Sequence, residues 1–119
     1  MLADARADAA NGRMDQALEK SYQAGLRTAG ACVAASATVS KRRRLPTSAW
    51  DQLSLVGAEE EEWANSFRAY SRTRSRLASG IDRDVADKVV FDLMDLAARF
   101  LEMAETGTHD FDGVGGQAA

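Results

Sequence analysis

Residues 22–35 read Tyr22-Gln-Ala-Gly-Leu-Arg27-Thr-Ala-Gly-Ala-Cys32-Val-Ala-Ala35, and the architecture follows from this segment. Helix-forming residues dominate it, and after Tyr22 nearly every face of the predicted helix carries small or apolar side chains. A helix that is apolar on all sides belongs in the centre of a bundle, where small residues let neighbouring backbones approach closely. The sequence therefore predicts a central, alanine-rich helix over about residues 15–38.

Turn and capping signals divide the rest of the chain into further helices. We expect Asp15 to cap the second helix, either Thr47 or Ser48 to cap the third, and Asp82 to cap the last one. No strand pattern or internal repeat interrupts the helical segments. The fold class is therefore predicted to be all-α, a four- to five-helix bundle. Its helices span about residues 2–10, 15–38, 48–56, 58–79 and 82–105.

The 119 residues suit one domain with its own core. We expect residues 1–105 to form a single helical domain and the Gly-rich residues 106–119 to form a disordered tail. Asp4 and Asp8 interrupt the segment in which a signal peptide would be apolar, and no run of apolar residues is long enough to span a membrane. The sequence thus predicts a cytoplasmic protein with no membrane partner.

The last predicted helix carries two apolar rows, one from Val85 to Met103 and one from Val90 to Ala104. Together they form a stripe wider than one packing partner needs. We expect the surplus surface, with Leu93 and Leu101, to contact a second subunit, so that the protein is a homodimer.

Few side chains are available for catalysis or metal binding. Cys32 is the only cysteine and His109 is the only histidine, which excludes an internal disulfide and a thiolate zinc site. No predicted helix carries a histidine beside its carboxylates, as a ferritin-like metal site requires. We therefore predict no metal and no cofactor, and we interpret Cys32 as an inert, buried thiol.

Basic residues are concentrated in one part of the chain. Residues 41–80 hold eight basic and five acidic side chains, whereas the remainder holds seven basic and thirteen acidic ones. Guanidinium groups bind phosphates through pairs of charge-assisted hydrogen bonds, so these cations are candidate ligands for RNA or a nucleotide. Cations near a helix C-terminus and a solvated helix face are the alternatives. The candidates are the loop residues Lys41, Arg42, Arg43 and Arg44 and an outward-facing helical row, Arg68, Arg72 and Arg76.

Two further arginines are predicted on apolar faces. Arg74 points inward with the aromatic row that begins at Trp63, and Arg27 lies in the middle of the central helix. A buried guanidinium is costly unless it meets a carboxylate. Both residues are therefore either members of core ion pairs or anion ligands in a cleft between helices. The candidate ion-pair partners are Glu60, Asp92, Asp95 and Glu102.

The order of these features resembles the HEPN superfamily (higher eukaryotes and prokaryotes nucleotide-binding), small α-helical bundles that commonly dimerise. In particular it is similar to a short bacterial HEPN family over about residues 2–105. The resemblance rests on the alanine-rich central helix, the basic loop, and the motifs Trp50-Asp-Gln-Leu53 and Trp63-Ala-Asn-Ser-Phe67.

Ribonucleases of the superfamily carry an arginine followed, after four to six residues, by a histidine. No histidine follows Arg72-Thr-Arg74-Ser-Arg76, and arginine cannot take up a proton at neutral pH. The resemblance therefore implies a non-catalytic accessory domain that binds RNA, a nucleotide or an acidic partner in a stress, defence or repair context. The alternatives are a homodimeric interaction or structural module with no nucleic-acid role, and an enzyme that uses Arg27, Arg74 and a carboxylate.

Overall fold

The computed structural model describes the backbone of residues 1–117 and the side chains of residues 1–107. No strand occurs in this part of the chain, which confirms the all-α class. The structure has six helices here, because a short additional helix follows the central one. They are α1 (Leu2–Ala10), α2 (Met14–Ala34), α3 (Ala37–Ser40), α4 (Ala49–Ser54), α5 (Ala58–Ala78) and α6 (Asp87–Gln117).

α2 is the central helix, as predicted, because it packs against each of the other five helices. The last turns of α2 are less covered than their composition predicts, and Ala31 and Ala34 are exposed. α2 is therefore a hub along its first part and a partly open surface beyond it. Its buried residues are Ala17, Leu18, Ser21, Tyr22, Ala24, Gly25, Thr28 and Ala29.

Gly25 marks a close approach between α2 and α5. Phe67 of α5 is fully buried, and a Cβ atom on residue 25 would lie only 2.4 Å from Cε1 of its ring. Trp50 of α4 stacks on the same ring, with 4.7 Å between centroids and 10° between planes. The backbone of α2 and the indole of Trp50 together hold the Phe67 ring, so position 25 has no room for a side chain.

The aromatic rings form one continuous cluster between α2, α4, α5 and α6. Phe100 of α6 lies 5.4 Å from Phe67 and 5.1 Å from Trp63, measured between ring centroids. Trp50 meets Tyr22 edge-on and donates its indole N–H to Tyr22 Oη at 2.7 Å. Such ring pairs contribute about 0.5–1.5 kcal/mol each beyond the burial of their area. The aromatic row of α5 therefore packs inward, as the sequence predicts.

Local hydrogen bonds explain where α2 ends and where α4 begins. α2 ends at Ala34 because Ser36 takes an extended conformation, and its Oγ accepts the N–H of Val39 at 3.1 Å to cap α3. Of the two residues predicted to cap α4, Thr47 and Ser48, it is Ser48 that does so, since its Oγ accepts the N–H of Asp51 at 3.4 Å. The predicted cap at Asp15 is wrong, because this residue lies inside the first turn of α2.

α6 begins later and its backbone runs further than the sequence predicts. Asp82 does not cap this helix, because its carboxylate binds Arg76 instead, with 3.0 Å between Nε and Oδ2. The helical backbone continues past Glu105 to Gln117. The predicted disordered tail, residues 106–119, falls mostly outside the described side chains, as does His109, and it stays a prediction.

Candidate functional site

Arg74 is held by an acidic residue of the central helix. Its Nε lies 2.7 Å from Oε1 of Glu19 and its Nη2 lies 2.8 Å from Oε2, while its Cζ sits 4.8 Å from the centre of the Tyr22 ring. The hydrogen bonds from Arg74 lower the pKa of Glu19 below its ordinary value. The interpretation of Arg74 as one member of an ion pair thus agrees with the geometry. The carboxylates predicted as its partner were wrong, because Glu19 occupies that place.

The outward row on α5 is also partly engaged. Arg68 binds the carboxylate of Asp51 on α4, and Arg76 binds Asp82 in the loop before α6. The hydrogen bond from Arg76 lowers the pKa of Asp82. Arg72 is exposed and makes no hydrogen bond or ion pair with the described residues. Two of the three arginines therefore already have an acidic partner within the protein.

The loop after α3 presents four consecutive cations to solvent, and we refer to residues 41–44 as the basic loop. All four residues are exposed, and their side chains form no hydrogen bond or ion pair with any residue that the structure describes. Arg42, Arg43 and Arg44 surround a concave space of about 580 Å³. Unneutralised like charges at this density raise the local positive potential and attract anions.

α4 connects the segment that follows the basic loop to the row on α5. Gln52 of α4 donates a hydrogen bond to the carbonyl oxygen of Pro46, two residues after the basic loop, at 2.7 Å. Arg68 lies at the α4 end of the row, since it binds Asp51. Arg76 lies eight residues later, about 12 Å further along α5 at 1.5 Å per residue. The described residues show no hydrogen bond or ion pair between the loop and the row.

Arg27 lies elsewhere, on an open groove between α2 and α6. It is exposed rather than buried, and it makes no ion pair with the described residues. Leu101 is 36% exposed on this groove, whereas Leu93, also predicted at an interface, is fully buried in the core. The prediction for Leu93 was therefore wrong. The mostly apolar groove has a volume of about 520 Å³ and is lined by Arg27, Thr28, Ala31, Cys32, Ala35, Leu101, Ala104 and Glu105.

Cys32 and the carboxylates of α6 do not form a reactive cluster. Cys32 is half-buried, and burial raises the pKa of its thiol, so the thiol stays protonated at neutral pH. Asp92 and Asp95 are paired within α6 to Lys88 and Arg99. Within the part of the chain that the structure describes, no group of three histidine, cysteine or carboxylate side chains is arranged to hold a metal ion. No helix in that part has the length and apolar character of a membrane span.

One buried charge, Asp8 of α1, was not predicted from the sequence. This residue is only 4% exposed, and its carboxylate lies 2.8 Å from Nε of Arg13 and 2.6 Å from Nζ of Lys20. Hydrogen bonds from Lys20 and Arg13 lower the pKa of Asp8. The sequence signal for this ion cluster is an acidic residue before the Asn11-Gly12 turn and two basic residues after it. The cluster fastens α1 to α2 and is structural.

Taken together, the class that these features define is an all-helical bundle with an aromatic core, an alanine-rich central helix and an exposed basic loop. Residues 3–105 match the family model described as HEPN_SAV_6107-like HEPN, and the chain belongs to this family. The match confirms the resemblance to HEPN domains inferred from the sequence. No curated protein and no solved structure gives a significant match.

Proposed function

We propose that this HEPN domain is a non-catalytic, cytoplasmic accessory module that binds single-stranded RNA through the basic loop, in a stress, defence or repair context. The observation that carries the proposal is the exposure of four consecutive cations without an acidic partner among the described residues. Flexible single strands are bound by positively charged surfaces that follow the phosphate backbone. A run of four cations offers such a strand several phosphate contacts at once.

The pairing of the other candidates supports this choice of surface. Arg68, Arg74 and Arg76 each bind a carboxylate within the protein, so an RNA phosphate would have to displace that carboxylate. The basic loop has no such competitor among the described residues. Arg72 is the one member of the row without a carboxylate partner among the described residues. Local potential decides anion binding, so the net charge of -3 does not oppose it.

The lack of catalysis is proposed from the chemistry of the residues near these arginines. Cleavage of RNA by its own 2′-hydroxyl requires a group that takes up the hydroxyl proton. Residues 1–107 contain no histidine, and Arg74 is bound to Glu19. Arginine stays protonated at neutral pH and cannot act as that base.

Fluorescence anisotropy with a labelled single-stranded RNA at low salt tests the binding surface. Replacing the four cations of the basic loop by glutamine should weaken binding by on the order of tenfold or more, because the phosphate contacts are lost. A control variant that loses the same total charge at positions outside the basic loop should bind RNA within about threefold of the native affinity, since those positions are proposed to make no phosphate contacts. The control variant combines four substitutions at exposed positions, Arg6→Gln, Arg83→Gln, Lys88→Gln and Arg99→Gln.

Equal affinity of the loop variant and the native protein would contradict the proposed surface. Unlabelled nucleoside triphosphate and an acidic peptide serve as competitors in the same assay. Displacement of RNA by either one at equal phosphate or carboxylate concentration would show that the loop binds that class instead. Circular dichroism of every variant shows whether the helical fold is retained.

A second candidate function is a homodimeric interaction module with no nucleic-acid role. The exposure of Leu101 on the apolar groove between α2 and α6 favours it, since apolar surface of this kind often forms protein contacts. Light scattering over a range of concentrations should then show a dimer that Leu101→Asp weakens. Ile81→Asp, at a 63% exposed position outside the groove, is the control and should leave the dimer intact. A native protein that stays monomeric throughout would contradict this function.

A further inference from the structure

The segment between α3 and α4, residues 41–48, is an exposed connection with few backbone hydrogen bonds. Each of its residues is exposed except Pro46, which is half-buried. The backbone N–H groups of residues 43–45 and 47 form no hydrogen bond with the described residues, whereas the carbonyl oxygen of Pro46 accepts one from Gln52. Opening a segment of this kind costs little free energy, because few contacts are lost. The segment can therefore become extended in the cleft of another protein.

Thr47 presents an accessible hydroxyl group in this segment. Its side chain is exposed and forms no hydrogen bond with the described residues. The hydroxyl of Ser48, the next residue, is engaged instead, because its Oγ accepts the N–H of Asp51 at 3.4 Å and caps α4. A negative group on Ser48 would also share the first turn of α4 with the carboxylate of Asp51. Of the two adjacent hydroxyl groups, Thr47 is therefore the one suited to covalent modification.

Arginines precede Thr47 in a regular pattern. Arg44 lies three residues before it, and Arg42 lies five residues before it. Successive side chains of an extended segment point to opposite sides, so these two arginines share one side when the segment is extended. Each guanidinium can bind a carboxylate through two hydrogen bonds. Since protein kinases use charge patterns to select their substrates, the segment fits a kinase cleft that is lined by carboxylates.

We propose that Thr47 is a phosphorylation site for a serine/threonine kinase that selects arginines before the acceptor residue, and that the phosphate weakens RNA binding by the basic loop. In this reaction the Oγ of Thr47 forms a bond to the γ-phosphorus of ATP, and the bond from that phosphorus to the β–γ bridging oxygen breaks. The hydroxyl proton passes to the catalytic aspartate of the kinase, and ADP leaves. The effect on RNA binding rests on the proposed function, whereas the modification itself does not.

The phosphate acts on RNA binding through its charge. A phosphothreonine carries a charge of about -1.5 to -2 at pH 7. Three extended residues span at most about 11 Å, so this charge lies beside Arg44 and the rest of the basic loop. It offsets up to half of the four positive charges of the loop. The phosphates of an RNA strand then meet a weaker positive potential, so the strand binds less tightly.

Incubation of the purified protein with ATP and a kinase that selects arginine three and five residues before the acceptor tests the modification. Tandem mass spectrometry should place the phosphate on Thr47. Thr47→Ala, or replacement of Arg42 and Arg44 by glutamine, should reduce phosphate incorporation by on the order of tenfold or more. Thr38→Ala is the matched control, because Thr38 is an exposed threonine on α3 with no cation among the five residues before it. This variant should be phosphorylated as well as the native protein.

Two results would overturn the proposed site. One is a native protein that takes up no phosphate, whether or not a peptide of residues 39–50 is modified by the same kinase. The other is phosphate that is found mainly on Ser48, or incorporation that Thr47→Ala leaves unchanged.

Fluorescence anisotropy with single-stranded RNA then tests the effect of the phosphate. The phosphorylated protein should bind on the order of tenfold more weakly, and the slope of log affinity against log salt should fall from about -3 to about -1.4, because about two of four phosphate contacts are offset. Treatment with a phosphatase should restore both values. Unchanged affinity after phosphorylation of Thr47 would overturn the effect and leave the modification. A native protein that binds no RNA would overturn the proposed function and this effect together, and the modification would again stand.

Discussion

Arg74 and Glu19, which are 55 positions apart in the chain, form a two-pronged ion pair that joins α5 to the central helix. The guanidinium also lies over the ring of Tyr22, whose hydroxyl is 2.9 Å from Oγ of Ser71 and accepts the indole N–H of Trp50. An arginine on an aromatic helix face is thereby placed without burying an unpaired charge. This ion pair ties Arg74 into the fold, and for that reason the proposed anion-binding surface is the basic loop.

Breaking this ion pair should lower stability by a modest amount. Both side chains are about a third or more exposed, so solvent screening limits the loss for Glu19→Gln to about 1 kcal/mol. Arg74→Met should cost somewhat more, since it also removes the contact with Tyr22. Urea unfolding of both variants and of the double variant measures the coupling between them. A loss of RNA affinity in Arg74→Met with unchanged stability would instead make Arg74 a ligand.

Two glycines of α2 should respond in opposite directions to the same substitution. Gly25→Ala should destabilise the fold by about 1–3 kcal/mol, because the new methyl group overlaps the buried Phe67 ring. Gly30→Ala should stabilise it by up to about 1 kcal/mol, since nothing lies within 4 Å of the new Cβ atom and alanine is the better helix former. Equilibrium unfolding of the two variants tests the packing of α2 against α5. Equal effects at both positions would contradict this packing.

The main lines of the fold could be predicted from the sequence. The small residues after Tyr22 predict a central position for α2. Ser48 before a short apolar run predicts the start of α4. Local patterns of this kind depend on neighbouring residues alone. Boundaries that depend on distant groups were predicted less well. Asp82 is of a residue type that often caps helices, but its carboxylate forms an ion pair with Arg76 at the end of α5.

Lowering the pH should remove part of the stability through the carboxylates that bind cations. The pKa values of Asp8 and Glu19 are lower in the folded chain than in the unfolded one, where they are about 3.9 and 4.3. Each therefore stabilises the fold above its unfolded pKa, and this stabilisation is lost as the pH falls through the lower, folded value. Asp8→Asn should reduce the melting temperature at pH 7, and the difference from the native protein should shrink below about pH 4. A difference that is constant from pH 7 to pH 2.5 would contradict the ion cluster at Asp8.

The candidate site was harder to predict than the fold, because pairing depends on how the helices are arranged. The sequence places Arg68, Arg74 and Arg76 on faces of α5, but it does not show which helix approaches each face. Glu19 lies on α2, and it is the partner of Arg74 because α2 packs against α5. Arg27 was expected among buried residues, yet the later part of α2 lies open beside α6. The exposure of the basic loop, in contrast, follows from its own composition.

The purified protein should not cleave single-stranded RNA above the rate of a buffer control. The physical reason is that arginine stays protonated at neutral pH, that residues 1–107 contain no histidine, and that the carboxylates beside Arg68, Arg74 and Arg76 are engaged in ion pairs. Gel electrophoresis of labelled RNA after prolonged incubation measures this. Cleavage that disappears in both Arg74→Ala and His109→Ala would contradict a non-catalytic role and would make these two residues its active site.

The salt dependence of RNA binding tests the proposed function most directly. If the four cations of the basic loop neutralise four phosphates of a single strand, the logarithm of the association constant should fall with the logarithm of the salt concentration at a slope of about -3. The glutamine variant of the loop should show a slope near zero at its residual affinity, because those contacts are gone. A native slope near zero, or the same slope in both proteins, would contradict phosphate binding by residues 41–44.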